Sequence, residues 1–273
     1  MQKFFMQVAT TLDGKIDLFG HDGQAKMYRE FRPVYPESLI NFIVSLVPKR
    51  VLYVDVACGS GQLTKLIAPY FQETLGIDQS LEQLSQTGET LSGVCFTAGS
   101  AFDLQVGNSS VDLITVAQAL HWLLPYDRFF SEVMRVLKPG GVFVTVAYAF
   151  PRLLDSAARA EVEGFYFGVL GADKSPGEAG CWWETDRPTI DGFYSEISFP
   201  RPPTTYRFIE TVSMTLEHYM NYLRTLSAYR TLLRSGALKD PLPELEKKLR
   251  SFFGSERVIQ VEIPFFAVMF KNE

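Results

Sequence analysis

Ten residues, Asp55-Val-Ala-Cys-Gly-Ser-Gly-Gln-Leu-Thr64, concentrate the chemistry this chain can do. Gly59 and Gly61 carry no Cβ, so the backbone there can take positive φ and come close to a ligand. Asp55 stands just before the turn and can accept hydrogen bonds or hold a cation. A second acid, Asp78, lies 23 residues further on, after another apolar run, where a carboxylate can accept both hydroxyls of a ribose. The pair points to a nucleoside-bearing cofactor, and two candidates compete. A dinucleotide needs a third glycine for close helix–strand packing and a helix N-terminus under its pyrophosphate. Counting from Gly59, that third position is Thr64, so the fingerprint fails. S-adenosylmethionine has no phosphate and ends in an ammonium and a carboxylate, which a short glycine turn preceded by an acid suits better.

The elements that must position these residues alternate. Residues 51–56 (VLYVDV) form a short apolar run rich in β-branched side chains, as in a strand buried on both faces. Residues 62–70 follow with helical spacing. Residues 74–77 read as a second strand, and Ser80 as the N-cap of a helix opening at Leu81, with Glu82 in its first turn. Residues 94–97 and 111–116 make a third and fourth strand. A helix over 128–137 stops at Lys138-Pro-Gly-Gly141, and 142–148 (VFVTVAY) is a fifth strand. Strands alternating with helices through short linkers predict an α/β fold with a doubly wound, mostly parallel sheet covered on both faces. After Pro151 the pattern changes. The periodicity predicts helical pieces within 153–170, an outer strand over 193–199, one amphipathic helix over 216–233 capped by Thr215, and closing strands at 258–263 and 265–270.

Composition sets the outer limits. The chain has 273 residues, 26 basic against 31 acidic, for a formal charge of −5. At 47% hydrophobic residues it can bury a large core, which excludes a disordered chain. Mild acidity argues against a broad basic face for nucleic acid, and no run approaches the ~18 apolar residues of a membrane span. The residues 1–10 hold no signal-peptide core. Cys58, Cys95 and Cys181 are too few and too widely spaced for a disulfide framework or, by themselves, a tetrahedral metal site. The expectation is a soluble cytoplasmic protein without a metal.

The loop 55–64 resembles the D-V-G-C-G-T-G-x-x-T loop of class I S-adenosylmethionine-dependent methyltransferases. Further matches follow in order: Gly76-Ile-Asp78, Gly99-Ser-Ala101, Ser110-Val-Asp-Leu-Ile-Thr115, Ala117-Gln-Ala-Leu-His-Trp122 and Leu137-Lys-Pro-Gly-Gly141. The segment Phe31-Arg-Pro-Val-Tyr-Pro36 resembles the entry motif of the trans-aconitate methyltransferase-like branch. Thr215-Leu-Glu, Tyr222-Leu-Arg-Thr and Ser227-Ala228 resemble that branch's late helix. One departure stands out: Ala57 replaces the loop's usual first glycine.

The resemblance implies a Rossmann-like, seven-stranded methyltransferase fold in four parts. Residues 1–36 would cover the cofactor site and 37–150 would form the cofactor-binding core. Residues 151–257 would cover the substrate with helices and an outer strand, and 258–273 would complete the core sheet with C-terminal strands. It also implies S-adenosyl-L-methionine as cofactor. Asp55, Ala57, Gly59 and Gly61 would lie around the methionine portion, Asp78 with Gln79 at the ribose, and Ser100, Ala101, Ala117 and Gln118 at the adenine. Arg32 and Tyr35 would reach the methionine carboxylate from the cover, a guanidinium being well shaped for a bidentate contact.

The remaining candidates concern the acceptor. His121-Trp122 follows the fourth strand, where cofactor and substrate would meet, and His121 reads equally as an acid/base group or as a packed, hydrogen-bonded histidine. His21 and His218 have no partner pattern. Tyr28, Trp182, Trp183 and Arg224 are the candidates for the acceptor's contacts, and the aromatic group around Trp182 and Trp183 also reads as plain core. Arg187, Arg201, Arg207 and Arg230 are further cations in the covering part. The favoured chemistry is carboxyl O-methylation of a small organic acid, which needs no base. A phenol or amine acceptor would need one such as His121. Two readings of other classes stay open: a nicotinamide oxidoreductase, disfavoured by Thr64, and a non-catalytic cofactor-binding protein, which Ala57 permits.

Overall fold

The apolar runs of the first half become the centre of one sheet. In a computed structural model, residues 24–88, 91–172, 174, 178–182, 194, 196–253 and 258–273 are described. Strands β1 (Leu52–Val56), β2 (Glu73–Asp78), β3 (Val94–Ala98), β4 (Val111–Ala117) and β5 (Leu137–Tyr148) pair in parallel in the order 3-2-1-4-5. The central strands β1, β4 and β5 are buried along nearly their whole length, which is why they read as continuous apolar runs rather than alternating ones. The order reverses between β1 and β4, so the crevice at their carboxyl ends is where such a sheet takes its ligand.

Helices close both faces. On one side α2 (Glu37–Ser45), α3 (Gln62–Ile67) and the C-terminal helices pack over Tyr53, Leu113, Val142 and Val144. On the other, α5 (Tyr126–Val136) covers Val54, Ile114 and Phe143 with Phe129, Phe130 and Val133 at helical spacing. Ser80 caps the short α4 (Leu81–Ser85), its hydroxyl accepting from the Gln83 amide at 3.3 Å. At the amino end of the strands Asp112 accepts from the Val51 and Leu52 amides and pairs with Lys138 at 2.8 Å.

The second half differs from the sequence expectation in three places. The outer strand is β7 (Thr204–Thr215), antiparallel to the long β8 (Val258–Lys271), while Tyr194 and Glu196 of the predicted strand at 193–199 are helical. β8 runs unbroken through Pro264, which falls between its stretch paired with the two-residue β6 (Arg152–Leu153) and its stretch paired with β5. Pro264 accepts from the Ala149 amide on that side, so its missing N–H faces a gap in the ladder rather than β7. Among the described residues the sheet has eight strands, one more than expected.

The third difference is in a helix. The predicted helix 216–233 is two, α7 (Leu216–Arg224) and α8 (Ser227–Ser235), broken where the Thr225 hydroxyl bonds back to the Tyr222 carbonyl. Thr215 does cap α7, accepting from the His218 amide at 3.0 Å. The helical pieces expected within 153–170 are α6 (Ser156–Glu163) and a π-helical turn, Gly164–Val169. The chain closes through α9 (Leu242–Phe253) before β8. Among the described residues no helix is long and apolar enough to cross a membrane, and no group of three or more His, Cys, Asp or Glu could hold a metal ion.

Candidate cofactor and acceptor site

The turn after β1 is built from left-handed backbone. Ala57, Gly59 and Gly61 have φ of 54°, 56° and 76°. Ala57 therefore takes the conformation its missing glycine would have taken freely, at a steric cost. The turn is tied to β2 twice: the Cys58 amide donates to the Ile77 carbonyl at 3.0 Å, and the Gly59 amide donates to Asp78 Oδ2 at 2.7 Å. Asp78 Oδ1 accepts from the Ser80 amide at 2.8 Å. Asp78 is thus the hinge pin between the turn and α4, and its carboxylate oxygens retain lone pairs for further donors. Gln79 beside it is exposed.

Asp55 ties together the elements around the turn. It is fully buried, and its two oxygens accept from the hydroxyls of Thr64 at 2.5 Å and Thr115 at 2.6 Å. Thr64, the residue that breaks the dinucleotide fingerprint, is therefore what ties α3 to β1. Because Thr115 gives its proton to Asp55, Tyr53 must donate to Thr115, at 2.7 Å. Burial raises the Asp55 carboxyl from 3.8 to about 6, against the opposing hydrogen bonds of Thr115 and Thr64. Burial also pushes the Cys58 thiol up, so that residue is a neutral packing group.

The other side of the crevice is lined by the ends of β3 and β4. The Ser100 hydroxyl accepts from the Phe102 amide at 3.2 Å, and Ala101 is half-buried. Ala117 ends β4, and Gln118 takes φ 54° while its side-chain amide donates to the Tyr148 carbonyl at 3.3 Å. Ala57 and Gln118 each follow a central strand, so two non-glycine residues hold strained backbone at the same crevice. His121 is buried; its Nδ1 lies 3.4 Å from the Tyr194 hydroxyl and its ring 5.1 Å from that of Trp122. That setting resembles a packed histidine more than an open base.

The N-terminal cover starts with α1 (Gln24–Phe31), which crosses the turn: Arg29 donates to the Gln86 carbonyl and accepts from Gln62 through its own carbonyl. Arg32 follows. Its guanidinium donates to the Tyr148 hydroxyl at 3.2 Å and to the Thr225 carbonyl at 3.0 Å, and lies 5.4 Å over the Tyr222 ring. The helix break at Thr225 supplies that carbonyl. Phe31 meets the His218 ring edge-on, which gives His218 a packing role.

Tyr35 is buried with its ring 6.1 Å from that of Phe265. Arg224 donates to Asn221 at 2.9 Å and pairs with Glu246 of α9 at 3.3 Å. Trp182 is half-buried against the helical layer. Trp183, His21 and Arg187 lie outside the described residues, as does the Tyr28 side chain.

Sequence reasoning missed two sets of residues. Ser60 Oγ and Gln83 Oε1 are buried beside the turn without a hydrogen bond among the described residues. The Gln83 oxygen lies 3.6 Å from where a Cβ on Gly59 would stand. Their signal was local: one is inside the loop, the other in the first turn of a helix with a recognisable cap. The second set is aromatic. Tyr148, Phe150, Tyr166, Tyr219 and Tyr222 gather beyond the end of β5 from three distant parts of the chain, and no spacing rule connects them.

A parallel sheet reversing between β1 and β4, a left-handed turn over β1 and an acid closing β2 define a nucleoside-binding methyltransferase fold. Buried acceptor oxygens and an open glycine at that turn fit a ligand rich in donors, such as an ammonium and ribose hydroxyls. The comparisons agree. A family described as a methyltransferase domain matches residues 54–145. A protein of Dictyostelium discoideum named as a methyltransferase is 30% identical over 257 residues, 91% of this chain and 93% of that one. A Saccharomyces cerevisiae protein named as an S-adenosylmethionine-dependent methyltransferase is 35% identical over 136 residues, 47% of this chain and 46% of the other. The solved structure of a type II methyltransferase from Anaeromyxobacter dehalogenans superposes with a TM-score of 0.74 at 30% identity, covering 89% of this chain and 98% of that one. The chain belongs to the class I S-adenosylmethionine-dependent methyltransferases. S-adenosyl-L-methionine is its cofactor, and it is an enzyme of methyl transfer.

Proposed function

We propose that the protein methylates a carboxylate of a small organic acid, the chemistry of the trans-aconitate methyltransferase-like branch that its entry motif resembles. One observation carries the reading: the candidate bases around the crevice are enclosed by the fold rather than open to an acceptor. Burial raises Asp55 to about 6 and pushes Cys58 and Tyr166 up, and His121 is enclosed against Tyr194. An acceptor that must first lose a proton finds no exposed base among these residues. A carboxylate with a pKa near 4 arrives about 99.9% ionised at pH 7 and is its own nucleophile.

When bound, S-adenosyl-L-methionine supplies a methyl group on a positively charged sulfur. The chain's own residues hold and orient. Asp78, with Gln79 beside it, accepts the ribose hydroxyls, while Ala57, Gly59 and Gly61 leave room for the methionine portion. Arg32 takes the methionine carboxylate from the cover. Ser100, Ala101, Ala117 and Gln118 border the adenine. The aromatic wall of Tyr148, Phe150, Tyr219 and Tyr222 excludes water, which favours a reaction whose charges cancel.

The test is methyl transfer from methyl-tritiated cofactor to benzoate, cinnamate and citrate, followed by alkali. Carboxyl methyl esters release volatile methanol, so base-labile label supports the reading and exclusively base-stable label overturns it. For the cofactor end, Asp78→Ala should weaken S-adenosylmethionine binding more than tenfold by calorimetry, because a charge-assisted acceptor and the pin of the turn are lost together. Unchanged affinity would remove Asp78 from the site.

A further inference from the structure

Helix α4 opens on Ser80-Leu-Glu-Gln83, the spacing of a reciprocal cap. In such a cap the serine hydroxyl takes the amide three residues on, and the glutamine side chain reaches back to the serine amide. Only the serine half forms. The Ser80 hydroxyl accepts from the Gln83 amide at 3.3 Å, but the Ser80 amide donates to Asp78 Oδ1 at 2.8 Å. Asp78 has taken the donor that the Gln83 side chain would use. The Gln83 oxygen is left in a residue only 5% exposed, without a hydrogen bond among the described residues. A buried amide oxygen in that state is a standing cost that an apolar side chain of the same shape would avoid.

The released side chain turns to the glycine loop. Its oxygen lies 3.6 Å from where a Cβ on Gly59 would stand, and outside the loop itself no other heavy atom among the described residues comes within 4 Å of that point. Gly59 thus leaves an opening that a side chain would fill. Its amide donates to Asp78 Oδ2 at 2.7 Å, so the carboxylate and the Gln83 oxygen flank the same glycine. Gly59 and Asp78 are only half-buried, which leaves the opening within reach of a ligand.

What enters must donate, because an amide oxygen only accepts. Each Asp78 oxygen already holds one backbone amide. A ribose brings two adjacent hydroxyls, and the carboxylate and the amide oxygen together offer an acceptor to each. We propose that Gln83 is a cofactor-binding residue whose side-chain oxygen accepts a hydrogen bond from a ribose hydroxyl of S-adenosyl-L-methionine, sharing the sugar's diol with Asp78. The assignment rests on Asp78's place at the ribose and is independent of the methyl acceptor. It gives the half-formed cap a function: by holding the Ser80 amide, Asp78 frees Gln83 for the sugar.

Calorimetry with S-adenosylhomocysteine and its 2′-deoxy and 3′-deoxy analogues tests this on the full chain without any acceptor. Gln83→Met keeps the length of the side chain and removes the oxygen; Gln83→Leu repeats the test in a second shape. Each variant should bind S-adenosylhomocysteine about tenfold more weakly than wild type, the size of one buried hydrogen bond. For the analogue lacking the partner hydroxyl, wild type and variants should agree within twofold. Thermal stability of the unliganded variants should be unchanged or higher, since the lost oxygen has no bond among the described residues. Variant affinity for S-adenosylhomocysteine within twofold of wild type would overturn the proposal. So would an equal loss for S-adenosylhomocysteine and both analogues, or failure of both variants to fold, either of which makes the amide a prop for the turn. Wild-type affinity indifferent to both missing hydroxyls would remove Asp78 and Gln83 from the ribose together.

Discussion

The two ends of the crevice are made differently. At the cofactor end the backbone defines the site: a left-handed turn at Ala57, Gly59 and Gly61, two amides on Asp78, and a second left-handed residue at Gln118. At the end we assign to the acceptor, side chains define it, with Tyr148, Phe150, Tyr166 and Tyr222 gathered where Arg32 reaches over from the cofactor end. A cofactor common to a whole family can be gripped by main chain, which changes little with sequence. An acceptor that varies between relatives is better met by side chains, which can change one at a time.

The comparison breaks most readily at glycine. A Cβ on Gly61 would stand 2.6 Å from the Phe96 ring, at φ 76°, whereas one on Gly164 at the head of the π-helical turn would meet nothing within 4 Å. Gly61→Ala should therefore cost about 2–4 kcal/mol of stability, from left-handed strain plus overpacking, and weaken cofactor binding. Gly164→Ala, in right-handed backbone at φ −57°, should be neutral or stabilise by up to about 1 kcal/mol. Urea unfolding of both variants measures this; equal effects would erase the distinction between the two ends.

Legibility in the sequence follows the same division. β1, β2, β4 and the turn could be read because continuous apolar runs, glycine and a capping serine each act over a few residues. The strand β7 was missed because it is an edge: Thr204 to Arg207 are all exposed and the alternation begins only at Phe208, while three prolines just before it suggested an ending. The break at Thr225 depends on Arg32 receiving its carbonyl from 193 residues away in the chain. Tyr166 was visible only as one more aromatic, since its partners at 150, 219 and 222 are fixed by tertiary packing and by a helix type that periodicity does not encode.

Asp55 sharpens the contrast through pH. The native carboxyl keeps its proton to about pH 6, while an unfolded one releases it near 3.8. Between those values the folded form binds more protons, so this group's contribution to stability is largest below the window and is lost as pH rises through it. Roughly two pKa units correspond to about 3 kcal/mol. Asp55→Asn cannot titrate, so relative to it the wild type should lose about 2 kcal/mol between pH 4 and pH 6.5 in urea unfolding. A parallel dependence in both proteins would mean the carboxylate is far better solvated than its enclosure by Thr64 and Thr115 indicates. The acceptor end offers no such signal, because burial carries the Tyr166 and Tyr219 hydroxyls above the accessible range.

The smallest effect is the most direct test of a backbone-defined cofactor end. Ala57 sits at φ 54°, a conformation that costs an ordinary residue about 1–2 kcal/mol. Glycine there removes that strain but adds about 0.5–1 kcal/mol of unfolded-chain entropy and gives up a methyl packed beside the core. The balance is a gain of about 0.5 kcal/mol for Ala57→Gly, which corresponds to a rise of about 1–2 °C in Tm for a chain of this size. Cofactor affinity should hold or tighten, since the turn keeps its shape with less strain. A loss of stability would mean that the alanine methyl matters more than the main-chain conformation, and the turn would then belong with the side-chain-defined end of the crevice.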